Sequence, residues 1–266
     1  MRNPDFDPGW PEDWKTSYLY DQEEVFHLIK NHGYAYMYAR RMQETLRLVQ
    51  RAARPPATIL DVAAAQGNFS LALAEMGYKV TWNDLRAGLA DYVRLKYEYG
   101  ELGFAPGNVF DLGFANRFDI VLITEIIEHV AHPDDFLMKV GQLVKPGGHI
   151  VMTTPNGGYF LNDLPKFSEC ADPSQYEYMQ FMPNSDGHIF LLHEDEISGL
   201  ASKAGLEIEE IQLHTNPLTT GHLKTELLLK ILPRALVESL DVLTTKAPGF
   251  VRRRVHTAMS ASFMHP

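Results

Sequence analysis

The segment that decides the fold runs from Phe118 to His129 and reads FDIVLITEIIEH. Its first six residues form an apolar run broken only by Asp119, which is typical of a strand buried on both faces of a parallel sheet. Glu125, Glu128 and His129 follow at offsets that share one face of a helical turn. A single acid here would only favour the start of a surface helix. The triple at a strand end, where open α/β sheets bind ligands, predicts a functional site.

Strands and helices alternate on both sides of this segment, which favours a mostly parallel sheet with helices on both faces. We predict strands at 58–62, 78–82, 104–110, 118–124, 149–153 and 206–213, helices at 68–76, 89–99 and 194–204, and another helix from His132 onward. Residues 1–56 are predicted to form an N-terminal arm, irregular to about residue 22, and a helical cap broken near Gly33. Residues 57–215 form the main domain with a lid insertion at 157–187, and residues 216–266 form a C-terminal helical extension.

The composition is that of a soluble globular protein, with 45% apolar and 22% charged residues among 266. The single cysteine, Cys170, excludes an intramolecular disulfide and fits a reducing, cytoplasmic location. The sequence contains no apolar run long enough to predict a membrane span. A net charge of −10 disfavours nucleic acid as a partner, because phosphate contacts need clustered Lys and Arg.

The extension at 216–266 contains an apolar stripe interrupted at Pro233. Its members are Leu223, Leu227, Leu228, Ile231, Leu232, Leu236 and Leu240. An amphipathic helix of this kind usually packs on its own protein or on a second subunit, so a homodimer through the C-terminal helices is one expectation. Attachment to a membrane surface is the less favoured alternative, because Lys and Arg are sparse on the polar side.

A loop of small residues follows the first predicted strand and reads DVAAAQG from Asp61 to Gly67. Small residues permit the close approach of a ligand to the backbone. Asp84 ends the next strand, 23 residues after Asp61, and an acid there can bind both hydroxyls of a ribose. The loop lacks G-x-G-x-x-G, which disfavours an NAD-dependent oxidoreductase.

These motifs resemble those of class I S-adenosylmethionine-dependent methyltransferases, and the resemblance covers about residues 57–215. The first motif of that family reads D-x-G-x-G-x-G, and Ala63 and Ala65 stand here at two of its glycine positions, where a positive φ is costly. The resemblance implies a Rossmann-like, doubly wound, mostly parallel seven-stranded sheet and S-adenosylmethionine as cofactor. The expected cofactor-binding residues are Asp61, Ala63, Ala65, Gly67, Asp84 for the ribose, Asp111 for the adenine, Thr124, and Arg41 for the methionine carboxylate.

Within that family, the E-x-x-E-H motif resembles two groups, the ubiquinone-biosynthesis O-methyltransferases and the small-RNA 3′-terminal 2′-O-methyltransferases. The RNA group also carries a Thr-Pro-Asn segment, as at Thr154, and a later His before a Phe, as at His188. The resemblance therefore implies Glu125, Glu128, His129 and His188 as catalytic metal ligands, with His193 as a fallback. Such ligands suit Mg²⁺, Mn²⁺, Fe²⁺ or Co²⁺.

The function predicted from these features is a metal-assisted O-methyltransferase for a small molecule with neighbouring oxygens, such as a catechol, quinol, sugar or secondary metabolite. Without a metal, the same Glu or His residues would act as a general base. Two alternatives remain. A 2′-O-methyltransferase for an RNA terminus explains Thr154 and His188 but is opposed by the acidic charge, and a non-catalytic cofactor-binding scaffold is supported only by the alanines of the loop.

Overall fold

The computed structural model describes residues 1–26, 31–180 and 187–266, and its centre is a seven-stranded sheet. The strand order is β3-β2-β1-β4-β5-β7-β6, and each neighbouring pair is parallel except for the two antiparallel pairs that β7 makes with β5 and β6. This confirms the Rossmann-like, mostly parallel sheet that the sequence predicts. The strands are β1 Thr58–Val62, β2 Lys79–Trp82, β3 Glu101–Phe104, β4 Phe118–Thr124, β5 Val144–Pro155, β6 Glu207–His214 and β7 Ala258–Met264.

Helices cover both faces of the sheet. The helices are α1 Glu12–Glu24, α2 His32–Ala52, α3 Asn68–Glu75, α4 Leu89–Lys96, α5 Pro133–Gly141, α6 Glu194–Lys203, α7 Glu226–Leu229, α8 Arg234–Thr244 and α9 Gly249–Val255. The irregular arm expected for the first 22 residues is wrong in part, because α1 occupies its second half. Leu28 and Ile29, predicted as part of a cap helix, lie outside the described residues.

The two faces of β4 are buried in two separate apolar layers. Val121 and Ile123 pack in the layer that contains α5, whereas Ile120 and Leu122 pack in the layer that contains α2 and α3. All four side chains are fully buried. A strand covered on both sides needs apolar residues on both faces, which is why residues 120–123 do not alternate between apolar and polar.

The third strand lies earlier than the sequence predicts. The pairing with β2 matches Lys79 with Glu101 and Trp82 with Phe104, so β3 ends where the predicted strand was expected to begin. Gly107 then takes a φ of +114°, which turns the chain, and Val109–Asp111 form a 3-10 turn instead of a strand. The error arises because pairing partners, and not local propensity, set the bounds of such a short strand.

The C-terminal extension is only partly helical. Its end forms β7, which inserts between β5 and β6 and supplies the seventh strand. The sequence AMSASFM contains no β-branched residue and only one aromatic, so local propensity gave little signal for a strand at this position. The predicted interruption at Pro233 is confirmed, since Pro233 separates α7 from α8.

Gly33 is the second residue of α2, and the predicted break of the helical cap near this residue is confirmed, because α1 ends at Glu24 and α2 begins at His32. A Cβ atom at this position would overlap the carbonyl group of Thr220, so the glycine allows the turn before α7 to contact the helix backbone directly. The close packing of two backbones thus explains a residue that by itself weakens a helix.

We predict that Gly33→Ala lowers the free energy of unfolding by about 1–3 kcal/mol, because the added methyl group overpacks this contact. The control is Gly199→Ala inside α6, where an added Cβ would meet nothing within 4 Å. That substitution should raise stability by about 0.5–1 kcal/mol through helix propensity. Denaturant unfolding of both variants measures the difference. Equal effects at the two positions would contradict the close contact.

Candidate active site

The loop after β1 uses the left-handed backbone region at alternate positions. Ala63 has a φ of 52°, Ala65 of 46° and Gly67 of 72°. Glycine adopts this region without cost, whereas alanine is strained in it. A Cβ at Gly67 would also lie 2.9 Å from Cγ2 of Val93, so this position requires glycine for space as well as for conformation. The strain that the sequence predicts for the two alanines is therefore present.

Asp61 lies at the start of this loop with its carboxylate fully enclosed. Its Oδ2 atom accepts a hydrogen bond of 2.6 Å from the Ser70 hydroxyl, and its buried Oδ1 atom has no hydrogen-bond partner among the described residues. Burial, opposed only in part by the Ser70 contacts, raises the pKa of Asp61 to about 7. The charged form of Asp61 would thus be stabilised by a cationic group of a ligand in this position.

Asp84 connects the loops that follow β1 and β2. Its Oδ2 atom accepts from the backbone N–H of Ala65 at 2.9 Å, and its Oδ1 atom accepts from the backbone N–H of Arg86 at 2.8 Å. The guanidinium of Arg86 also pairs with this carboxylate, although that side chain is half exposed. Asp84 thus holds a fixed position beside the strained loop.

The remaining predicted cofactor residues follow the same edge of the sheet. Asp111 is exposed on the 3-10 turn after β3 and accepts a hydrogen bond of 3.0 Å from the Asn108 side chain. Thr124 is the last residue of β4. The structure therefore brings the predicted residues from the ends of β1, β2 and β4 to one edge, and their roles toward the cofactor remain predictions.

Glu125 does not share a helical face with Glu128 and His129. It takes a φ of 53°, and a short 3-10 turn, Ile127–His129, follows in place of an α-helix. The Glu125 Oε2 atom pairs with Nη1 of Arg41 at 3.0 Å. The helical geometry that the sequence predicts is wrong here, because the single left-handed residue turns the Glu125 side chain toward α2. Arg41, expected at the methionine carboxylate, contacts Glu125 in this structure.

Glu128, His129 and His188 converge on one point, with their ligand atoms all within 4.8 Å of one another. Glu128 is fully buried, and its Oε2 atom accepts a hydrogen bond of 3.0 Å from Thr154. Its Oε1 atom is buried without a hydrogen-bond partner among the described residues. Burial raises the pKa of Glu128, and the negative charge of Glu125 raises this pKa further. A cation would therefore stabilise the ionised carboxylate at this position.

The surroundings of this group match those of metal-binding histidines. Nδ1 of His129 lies 3.2 Å from the carbonyl oxygen of Gly187, which leaves Nε2 for a ligand. A backbone hydrogen bond of 2.7 Å from Ile189 to the carbonyl of Glu128 holds the two sequence-distant segments together. Metal-binding histidines commonly donate their second ring N–H to a carbonyl, and metal-binding carboxylates are likewise hydrogen-bonded. The residues thus fit a divalent metal ion.

His193, the fallback ligand, serves a different purpose. Its backbone N–H donates to the Glu196 carboxylate at 2.8 Å in a capping box that begins α6. It is not a member of the group formed by Glu128, His129 and His188.

The lid insertion is anchored by some of its aromatic residues. The rings of Phe167 and Tyr176 lie 5.5 and 5.3 Å from the ring of Phe190, two residues beyond His188. Tyr178, in contrast, is 76% exposed. Phe167 and Tyr176 therefore anchor the insertion, and its role as a lid over the site stays a prediction. Phe181, another aromatic residue of the predicted insertion, lies outside the described residues.

A buried polar network links α1 to the cofactor loop, and sequence reasoning missed it. Lys96 and Asp21 form an ion pair of 2.7 Å with both side chains fully buried. Asn68, the first residue of α3, accepts from Lys96 at 2.6 Å and donates to Asp21 and to Glu24. Glu24 also accepts from Gln66 within the loop. No local signal could reveal this network, since its members are far apart in the sequence.

Comparison with known proteins gives the class of this protein. A family model described as a methyltransferase domain matches residues 34–211, and the chain belongs to this family. It is an S-adenosylmethionine-dependent methyltransferase.

Among curated proteins, the chain is 32% identical over 168 residues to a ubiquinone biosynthesis O-methyltransferase of Nitrosococcus oceani, over 60% of this chain and 68% of that protein. It is 30% identical over 179 residues to the protein of the same name from Pseudomonas paraeruginosa, over 64% of this chain and 73% of that one.

Solved structures share the fold. An S-adenosylmethionine-dependent methyltransferase from Mesorhizobium loti matches with a TM-score of 0.54 at 15% identity, covering 82% of this chain and 96% of the other. Phosphoethanolamine N-methyltransferase 2 of Haemonchus contortus, in complex with S-adenosyl-L-methionine, matches with a TM-score of 0.54 at 16% identity, covering 98% of this chain and 61% of that one.

We predict that Ala65→Gly raises the stability of the free protein relative to Ala64→Gly. Ala65 occupies the left-handed region and its neighbour Ala64 does not, so only the first substitution removes strain. Both variants carry the same entropic penalty of an added glycine, so this penalty cancels in the comparison. The free energies of unfolding of the two variants should therefore differ by the relieved strain, about 1–2 kcal/mol. Denaturant titration measures the difference. Two variants of equal stability would contradict strain at Ala65.

We also predict that Asp61→Asn becomes stabilising relative to wild type as the pH rises. The pKa of Asp61 is raised from 3.8 to about 7, so the folded state binds a proton more tightly than the unfolded state. The wild type therefore loses stability between pH 4 and 7, whereas the side-chain amide of the variant cannot titrate. Unfolding of both proteins at pH 5, 6, 7 and 8 checks this. A difference that stays constant with pH would show that the carboxylate is not buried.

Proposed function

We propose that this protein transfers the methyl group of S-adenosylmethionine to a hydroxyl oxygen of a small molecule with neighbouring oxygens. We further propose that a divalent metal held by Glu128, His129 and His188 assists the transfer. The buried Oε1 atom of Glu128 carries this proposal, because a carboxylate oxygen removed from water needs either a proton or a cation.

Three features favour a cation at this position. The group contains one carboxylate and two imidazoles, which are common ligands of divalent transition metals. Thr154 and the Gly187 carbonyl orient Glu128 and His129, as outer hydrogen-bond partners do in metal sites. The Oε1 atom of Glu125 is also buried without a hydrogen-bond partner in the described part of the chain. Glu125 therefore stays a predicted ligand beside these three residues, even though its other oxygen pairs with Arg41.

Oxygen as the acceptor atom is supported by the relatives, whose names describe O-methyltransferases of ubiquinone biosynthesis. Among the acceptors that the sequence leaves open, this name favours a quinol or a catechol. A divalent cation bound at Glu128 would lower the pKa of the acceptor hydroxyl and fix neighbouring oxygens against the methyl group.

The chain itself supplies positioning. The turn after β4 lies at the same sheet edge as the cofactor loop after β1, because β1 and β4 are parallel neighbours. The pair formed by Arg41 and Glu125 connects α2 to that edge, and Arg41 also lies 5.4 Å from the ring centre of Tyr38. The N-terminal helices can therefore close one side of the site and keep water from the acceptor.

The test compares wild type with Glu128→Gln, which keeps the shape of the side chain but removes its charge. Calorimetry with Mn²⁺, Co²⁺ or Mg²⁺ should show one site in wild type and at least a hundredfold weaker binding in the variant. Thr154→Val should weaken metal binding by about 10–100-fold. S-adenosylmethionine binding should remain in both. The control is Glu101→Gln, an exposed carboxylate on β3, which should change neither affinity.

Methyl transfer should then be measured with catechol, quinol and sugar acceptors and with a short RNA. Turnover of a catechol or quinol that depends on metal and on Glu128 supports the proposal. Turnover without metal would assign Glu128 or His129 as a general base, and turnover of the RNA alone would assign the enzyme to nucleic acid. Either result would overturn the proposed function.

A further inference from the structure

The connection between β6 and β7 has an apolar surface that faces solvent. We call residues 223–254 the tail segment. Of the 21 exposed large apolar side chains among the described residues, nine lie in these 32 residues. Leu227 is 78% exposed, Ile231 is 77% exposed and Phe250 is 72% exposed. Single exposed apolar residues are ordinary on a protein surface, but a concentration of them marks an interaction surface.

Helix α8 has exposed apolar residues although it packs against the rest of the protein. Its inner face is used by the protein itself, because Val237 is buried and the buried Asp241 accepts a hydrogen bond of 3.1 Å from Asn216. Its second apolar stripe consists of Leu236, Leu240 and Leu243, at positions i, i+4 and i+7, and all three are exposed. The expectation that this helix packs on its own protein therefore accounts for one face only.

The tail segment also differs in charge from the rest of the chain. It contains seven Lys and Arg residues against three Asp and Glu, a net charge of +4 within a chain of net −10. Lys224, Lys230, Lys246 and Arg254 are exposed beside the apolar residues. Few Lys and Arg residues stand beside the apolar stripe of residues 223–240. The whole tail segment, in contrast, is rich in them. An exposed apolar face with basic residues around it is typical of segments that bind anionic lipid surfaces.

We propose that the tail segment docks this protein onto an anionic lipid surface. The apolar side chains would enter the interface, and the lysines and arginines would contact lipid phosphates. The positive charge of the tail segment favours an anionic bilayer over a second copy of the chain. Two tail segments packed face to face would repel each other, because both carry a net positive charge. No helix in the described part of the chain is long and apolar enough to cross a membrane, so the docking is peripheral.

The attachment points of the tail segment place this surface next to the candidate active site. The hydroxyls of Thr215, after β6, and Thr257, before β7, lie 2.6 Å apart. Asn156, directly after β5, donates to the carbonyl oxygens of Arg253 and His256. The tail segment therefore leaves and rejoins the sheet at its carboxyl edge, so docking through it would hold the candidate active site near the lipid.

Flotation of the full chain with vesicles tests the proposal. Wild type should float with vesicles of phosphatidylcholine and phosphatidylglycerol, should stay in solution with phosphatidylcholine alone, and should be released by high salt. Leu227→Ser/Ile231→Ser should abolish flotation. Lys230→Glu/Arg254→Glu should weaken partitioning more than about tenfold, since each basic residue strengthens binding to anionic lipid by roughly fivefold.

Two controls match these variants. Leu19→Ser removes an exposed apolar residue of α1, and Lys79→Glu/Lys139→Glu makes the same charge change outside the tail segment. Both should float like wild type, and metal content should be unchanged in every variant. Failure of wild type to bind either vesicle would overturn the proposal. A wild-type dimer in sedimentation that Leu227→Ser/Ile231→Ser converts to monomers, without any flotation, would assign the surface to a second copy instead.

Discussion

Burial of the centre of β4, residues 120–123, between two apolar layers is the constraint on which the rest of the structure depends. Because β4 pairs with β1 and β5 and is covered on both faces, its central residues 120–123 cannot be polar, and Asp119 is accommodated only near the amino end, where it pairs with Lys145. Charged side chains therefore collect where the strand ends, at Glu125 and Glu128. The same parallel pairing brings the end of β1, with Asp61, to that edge, so the sheet itself creates the site.

Strain and burial are concentrated at this edge. The described non-glycine residues with a positive φ include Ala63, Ala65 and Glu125, all directly after β1 or β4. Asp61 and Glu128 each keep a buried oxygen without a partner among the described residues. Strained backbone and unsatisfied polar atoms cost stability, and folded proteins retain them mainly where a ligand compensates. These features support the candidate active site at this edge without reference to any sequence motif.

Local pattern predicted most strands and helices and the order in which they occur, because apolar runs and caps act within a few residues. It failed for β7, whose small residues are held in a sheet by hydrogen bonds to both neighbours. It also failed for α1, whose buried Asp21 pairs with Lys96, 75 residues further along the chain. In both cases the stabilising partner is distant in sequence, so a local sequence pattern could not predict the element.

The sequence by itself determined the class of fold and the candidate ligand groups, since apolar periodicity and the residues Glu128, His129 and His188 are visible without coordinates. Only the tertiary structure decided which of them meet. The left-handed turn at Glu125 directs its side chain to Arg41 on α2, and the hydrogen bond between Ile189 and Glu128 brings His188 to the group. Distances between remote segments depend on how helices and loops pack against the sheet, and packing is a property of the whole chain.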